Sequence, residues 1–183
     1  CNIKFSEGVT AGTDGIARVN SISIDAARTI TWGEDKSQLN VCGDFTHNGT
    51  ITMASLGKVS FVSTDAQQNY SKGASGAGDF YNLEINNTHT TPYVNITGTN
   101  DMEIATDGKL TLSNGLLVTG ANKVIVNNTS IVSVTGPSTA SYVYGTIRRY
   151  LAATGAYRFP VGNADAYELM MIMITGGNTA TYL

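Results

Sequence analysis

The chain has 183 residues, 42% of them apolar and only 14% charged, with a formal net charge of −3. Average soluble domains carry about a quarter charged residues, so the charged helix formers are scarce, and the low net charge and ample apolar content argue against disorder. The acidic balance removes the electrostatic case for nucleic acid, and no apolar run approaches the ~20 residues of a membrane-spanning helix.

Short alternating segments punctuated by Gly, Asn and Asp run the length of the chain. They begin with Arg18 to Ile24, Arg28 to Trp32, Leu39 to Cys42, Ile51 to Met53 and Lys58 to Ser63. Phe80 to Ile85, Tyr93 to Thr97, Met102 to Ala105 and Lys109 to Leu112 follow. Leu116 to Val118, Lys123 to Val126 and Ile131 to Val134 complete the series. Alternation with period two over so few residues is a strand signal, and no window carries a helical stripe. Roughly two residues in five are Gly, Asn, Thr or Ser, which suits corners and outward strand faces.

Between Met102 and Val134 the punctuation is Asp107-Gly108, Asn114-Gly115, Gly120 to Asn122 and Asn127-Asn128. Such residues make hairpin turns in an antiparallel sandwich, or the corners of a β-solenoid whose coils stack in parallel. Strands this short favour the solenoid. Leu110, Leu112, Leu116, Val118, Val124 and Val126 then point inward and stack from coil to coil. Near Tyr142 the segments lengthen, which divides the chain into a solenoid at 1–140 and an incomplete, sandwich-like β module at 141–183. Within it Leu169 to Ile174 reads as a buried strand, and Arg148 and Arg149 read as solvated strand residues.

The first residue is Cys1, which suggests an excerpt of a longer protein or a lipid-modified mature N-terminus. Cys1 and Cys42 could also pair, although two cysteines alone do not define an oxidising compartment.

Residues that do chemistry are few. His47 and His89, the only histidines, sit in polar, turn-like settings and read as structural or solvent-facing; no zinc-type spacing accompanies them. Asp101, Glu103 and Asp107 form the densest carboxylate group. They are candidate Ca²⁺ ligands, because hard cations take clustered oxygens, and equally ordinary surface carboxylates; the one basic residue close by in sequence is Lys109. Gly73 to Asp79 lacks the Lys-Ser/Thr of a phosphate loop and reads as a flexible corner. Tyr142, Tyr144, Tyr150, Tyr157 and Tyr167 gather the aromatic rings. They are candidates for a sugar-binding surface, with packing between modules as the competing role.

Two stretches carry a family resemblance. Gly43-Asp44-Phe45-Thr46, Asn48-Gly49-Thr50, Val59-Ser60-Phe61 and Phe80-Tyr81-Asn82-Leu83-Glu84-Ile85-Asn86-Asn87 resemble coils of the large repetitive surface proteins of Bacteroidota. Ser141 to Ile174, with Phe159-Pro160-Val161-Gly162, resembles the segment that commonly follows them. The resemblance implies a right-handed β-helix repeat, secreted through the type IX system and exposed at the cell surface. The expected function is structural or adhesive, in a cell-surface or filament-forming protein without catalytic activity. Its partners would be other copies, neighbouring modules or surface glycans. The alternative is a carbohydrate-binding or carbohydrate-active module.

Overall fold

The structure, a computed structural model, describes residues 3–5, 16–32, 37–53, 56–91, 93–152, 154–176 and 181–182. Expectations for Cys1, and hence for its pairing with Cys42, lie outside them. Cys42 itself is a half-buried free thiol whose sulfur accepts a hydrogen bond from Arg18 Nε.

Among the described residues every regular element is a strand. The chain winds as a parallel β-solenoid of about 5 turns. β1 (Ile3–Phe5) precedes the first full coil, traced by β2 (Ile16–Val19), β3 (Ile22–Ile24) and β4 (Thr29–Trp32). β5 (Gln38–Val41), β6 (Phe45–His47) and β7 (Thr50–Thr52) repeat the path one level on. β8 (Lys58–Phe61) and β9 (Gln68–Lys72) follow, and there Ala77 bridges to Thr50 in place of a third strand. β10 (Phe80–Asn86), β11 (Tyr93–Ile96), β12 (Met102–Asn114), β13 (Leu116–Val118) and β14 (Val124–Val126) carry the winding onward. β15 (Val134–Thr135), β16 (Val143–Tyr144) and β17 (Ile147–Leu151) stack on them. β18 (Gly155–Gly162) pairs parallel with β16 and antiparallel with β19 (Tyr167–Ile174), and β20 (Thr181–Tyr182) pairs antiparallel with β17. Strands of three to five residues stay paired here because each is held on both sides by the coils before and after it.

Side chains of like parity stack into ladders. Leu39, Val59, Leu83, Leu110 and Val134 stand in register on one face, all essentially sealed from solvent. Beside them run Val41, Phe61, Ile85 and Leu112. Burial of each such side chain is worth about 1.5–3 kcal/mol, and the ladders supply it at every level. Phe45, Tyr70 and Phe80 cluster in the interior, with ring centroids 5.5 to 6.1 Å apart.

Four local readings change in three dimensions. In β13 the inward residue is Leu117, in register with Val94 and Val143, while Leu116 is buried outside that core ladder and Val118 is half-buried. Gly115, at φ 84, enters that strand in the left-handed region and resets its parity. Asp107-Gly108 does not end a strand: β12 runs through it as a wide bulge, with Ile104 beside Phe80 but Lys109 beside Asn82. Arg148 is exposed as expected, whereas Arg149 is completely buried. Leu169 to Ile174 is not a buried strand. Leu169, Met170, Met171 and Met173 are 43 to 63% exposed on β19 at the end of the stack.

Candidate functional site

Polar side chains enter the interior where period-two alternation puts them. On β9 the inward residues are Gln68, Tyr70 and Lys72, and Ile24, His47 and Lys72 form one ladder across three coils. The His47 ring lies 3.3 Å (Nδ1) from the Gly49 carbonyl and 3.0 Å (Nε2) from the Tyr70 hydroxyl. A carbonyl only accepts, so Nδ1 carries the proton and Nε2 accepts from Tyr70. Burial pushes His47 down to about 4, with the Lys72 charge adding to the fall and the Gly49 hydrogen bond opposing it. Burial, with Glu103 and Asp79 nearby, pushes the Tyr70 phenol up.

The buried Lys72 ammonium lies against the corner formed by residues 73–79. Its Nζ lies 3.5 Å from the Gly78 carbonyl and 3.3 Å from Glu103 Oε1. That corner is tied down by Gly76 N–H to the Gly73 carbonyl and Ala77 N–H to the Gly49 carbonyl. Asp79 and Glu103 occupy neighbouring levels, each one residue before the paired Phe80 and Ile104. Burial raises the Asp79 carboxyl, Glu103 raises it further, and Lys72 opposes both.

The carboxylates singled out by sequence separate. Asp101 accepts the backbone N–H of Lys123 and pairs with its ammonium at 2.7 Å, Glu103 pairs with Lys72, and Asp107 is exposed on the β12 bulge. The basic residues around this group are therefore Lys72 and Lys123, beyond the Lys109 that sequence proximity suggests. Among the described residues no three His, Cys, Asp or Glu side chains gather in a metal-holding group. His89 closes its own turn, taking a hydrogen bond from the Thr91 N–H.

The tyrosines also divide. Tyr142 is buried, stacks on Tyr167 at 5.4 Å between centroids and donates to the Asn163 carbonyl. Tyr157 is fully buried and donates to the Thr129 carbonyl. Tyr144, Tyr150 and Tyr167 are half-buried. Comparison with protein-family models, with curated proteins and with solved structures returns no match for this chain.

Tyr150 lines a cavity of about 340 Å³ with Thr106, Asn127 and Thr129. The walls come from three levels: Thr106 from the β12 bulge, Asn127 and Thr129 from the segment after β14, Tyr150 from β17. Beneath them lies Arg149, which takes the place of a hydrophobic side chain in the ladder Phe80, Ile104, Val126. Its Nη1 donates to the Arg158 carbonyl at 2.8 Å, and its Nη2 donates to the Ser130 carbonyl at 2.9 Å and Ser133 Oγ at 2.7 Å. The guanidinium also lies 5.2 Å from the Tyr157 ring and 5.9 Å from that of Phe159. Burial lowers its pKa to about 10, which leaves it charged at neutral pH, while Nε has no hydrogen-bond partner.

Sequence reasoning missed Lys72, Asp79 and Arg149. Parity offered a signal for two of them: Lys72 shares its face with Tyr70, and Arg149 shares its face with Ile147 and Leu151.

Proposed function

We propose that this chain is a structural and adhesive rod segment of a secreted bacterial cell-surface protein, without catalytic activity of its own. The observation that carries this reading is the pair of parallel sheets that run from coil to coil through the stack. Each coil is fastened to the next by backbone hydrogen bonds and sealed by in-register aliphatic side chains, so the fold is a stiff spacer whose outer faces are mainly Thr, Ser and Asn. The resemblance to repetitive Bacteroidota surface proteins supports the same reading, and would make the winding right-handed and the export route type IX secretion. The exposed apolar strand β19 supports association at that end, with the adjoining module of a longer protein as the occupant.

Antibodies raised against the chain test this directly. They are expected to label intact cells of the parent organism, and labelling that appears only after lysis would overturn the reading.

A second reading, a carbohydrate-active module, is favoured by one observation: Asp79 and Glu103 stand on neighbouring levels with Lys72 against Glu103. A raised carboxyl beside an ion-paired one is the division of protonation that acid–base chemistry requires. It predicts polysaccharide cleavage that disappears in Asp79→Asn and in Glu103→Gln. Activity unchanged by both substitutions would remove this reading.

A further inference from the structure

We propose that Lys72 and Glu103 become joined by an isopeptide bond, formed after folding by condensation of the Lys72 amine with the Glu103 carboxyl, with Asp79 as the proton relay. The inference goes beyond the proposed function and does not depend on it.

Among the described residues three lysine–carboxylate pairs join neighbouring coils, and one of them differs in its surroundings. The Lys58 and Lys123 side chains are 35% and 32% exposed, so water keeps those two pairs ionic. The Lys72 side chain is only 7% exposed, and its Nζ lies 3.3 Å from Glu103 Oε1. Holding an ammonium out of water against a carboxylate is costly. An amide carries neither charge, so condensation relieves a penalty that the two exposed pairs do not bear. Glu103 Cδ is one bond from the oxygen that Nζ already faces, and positioning of this kind replaces high concentrations of a free reactant.

Backbone packing fixes both partners. The Thr99 and Asn100 N–H groups donate to the Lys72 carbonyl, and Asn100 Nδ2 donates to the Gly73 carbonyl. A side chain at position 98 would collide with the Lys72 backbone, and one at position 76 with the Lys72 Cγ. Glu103 is held through β12, where Met102, Glu103 and Ile104 stand in register with Val124, Ile125 and Val126.

Asp79 completes the group, one residue before Phe80 on the level next to Glu103. Burial and the Glu103 charge raise its carboxyl while Lys72 opposes them, so Asp79 senses both reacting groups and holds a proton more readily than an ordinary aspartate. It takes one proton from the Lys72 ammonium and passes it to the departing Glu103 oxygen. The freed nitrogen lone pair forms the bond to Cδ and the Cδ–O bond breaks. That oxygen takes its second proton from the nitrogen and leaves as water, and Asp79 is returned to its starting state. The Glu103 side chain is 33% exposed, which gives the water a way out. Linking residues 72 and 103 closes a loop around one coil and limits the freedom of the unfolded chain. It also consumes the Glu103 carboxylate, so the cross-link and the carbohydrate-active reading exclude each other.

The test is the intact mass of the whole folded chain, followed near neutral pH until it no longer changes. The chain is expected to end lighter than its sequence by one water, about 18 Da. Tandem mass spectrometry should place that loss in a branched peptide joining Lys72 to Glu103. Lys72→Arg and Glu103→Leu should each keep the full mass, while Lys58→Arg still loses the water. Asp79→Asn should slow closure roughly tenfold or more; circular dichroism verifies that every variant is folded. A constant full mass in the parent chain overturns the proposal, and so does a loss of water mapped elsewhere, for example to ring closure at Asp107-Gly108. Closure of Asp79→Asn at the parent rate overturns the part given to Asp79. Mass reads the bond and antibody labelling of cells reads the location, so either can fail while the other stands.

Discussion

Tyr70 donates its hydroxyl to His47 Nε2 across 3.0 Å, between adjacent coils and out of reach of water. The pair makes stability depend on pH. An unfolded histidine titrates near 6.5, but His47 is held down to about 4, so between those values the unfolded chain binds the extra proton. Its stabilising contribution is therefore complete above pH 6.5 and is lost as pH falls toward 4, by about 3 kcal/mol. Asp79, whose carboxyl is raised, works in the opposite direction. Urea unfolding at pH 7 and pH 4.5 should show the loss, and the double variant His47→Leu/Tyr70→Phe should lack it. An equally steep dependence in the double variant would refute this account.

Arg149→Lys is expected to destabilise the chain by about 2 kcal/mol. An ammonium cannot span the Arg158 and Ser130 carbonyls and the Ser133 hydroxyl as the planar guanidinium does. The loss should be local as well as global. Hydrogen exchange is the decisive measurement, with faster exchange expected for the Asn127 and Ser133 amides and unchanged exchange for Val59.

Glu84 staples three levels. One oxygen accepts from Lys58 Nζ at 3.0 Å and Ser60 Oγ at 2.9 Å, and the other accepts from Ser113 Oγ at 2.8 Å. Burial pushes its carboxyl up, but these hydrogen bonds outweigh burial and hold it below the ordinary value of 4.5. Its contribution is present above pH 4.5 and fades as pH falls through the lowered value. Glu84→Gln should cost about 1 kcal/mol in urea at pH 7, chiefly through the two serines, because Lys58 is partly exposed and screened. At pH 3 the difference between variant and parent should shrink.

β19 presents Leu169, Met170, Met171 and Met173 to solvent with a single charge, Glu168. Exposed apolar edge strands associate unless charges blunt them. Met171→Lys/Met173→Lys should reduce concentration-dependent association in light scattering and leave the thermal midpoint within a few degrees, since neither side chain is buried. A large fall in the midpoint would show that β19 packs as core.

Much of the solenoid is legible in the sequence. The ladder residues Leu39, Val59, Leu83 and Leu110 announce themselves because parity within a strand is a local property. Gly115 shows the limit: a single residue at positive φ exchanged Val118 for Leu117 as the inward side chain. At the site the legible part was smaller still. Tyr150 was among the candidate rings, but nothing near it in sequence names Thr106 as its neighbour, and Asp101, Glu103 and Asp107 looked grouped only because they are adjacent in the chain.

Low charge, short alternating strands and Gly/Asn corners by themselves determined an all-β stack. Tertiary structure alone decided which polar groups meet. Hydrogen-bonded partners in adjacent coils can be as few as 20 residues apart, as with Gly108 and Asn128, or as many as 31, as with Lys72 and Glu103. Coil length varies because corners such as residues 73–79 and 127–133 absorb extra chain at no cost to the ladders. That freedom sets Lys72 against Glu103 and Arg149 against Ser130 and Ser133, and no local rule of strand alternation fixes it.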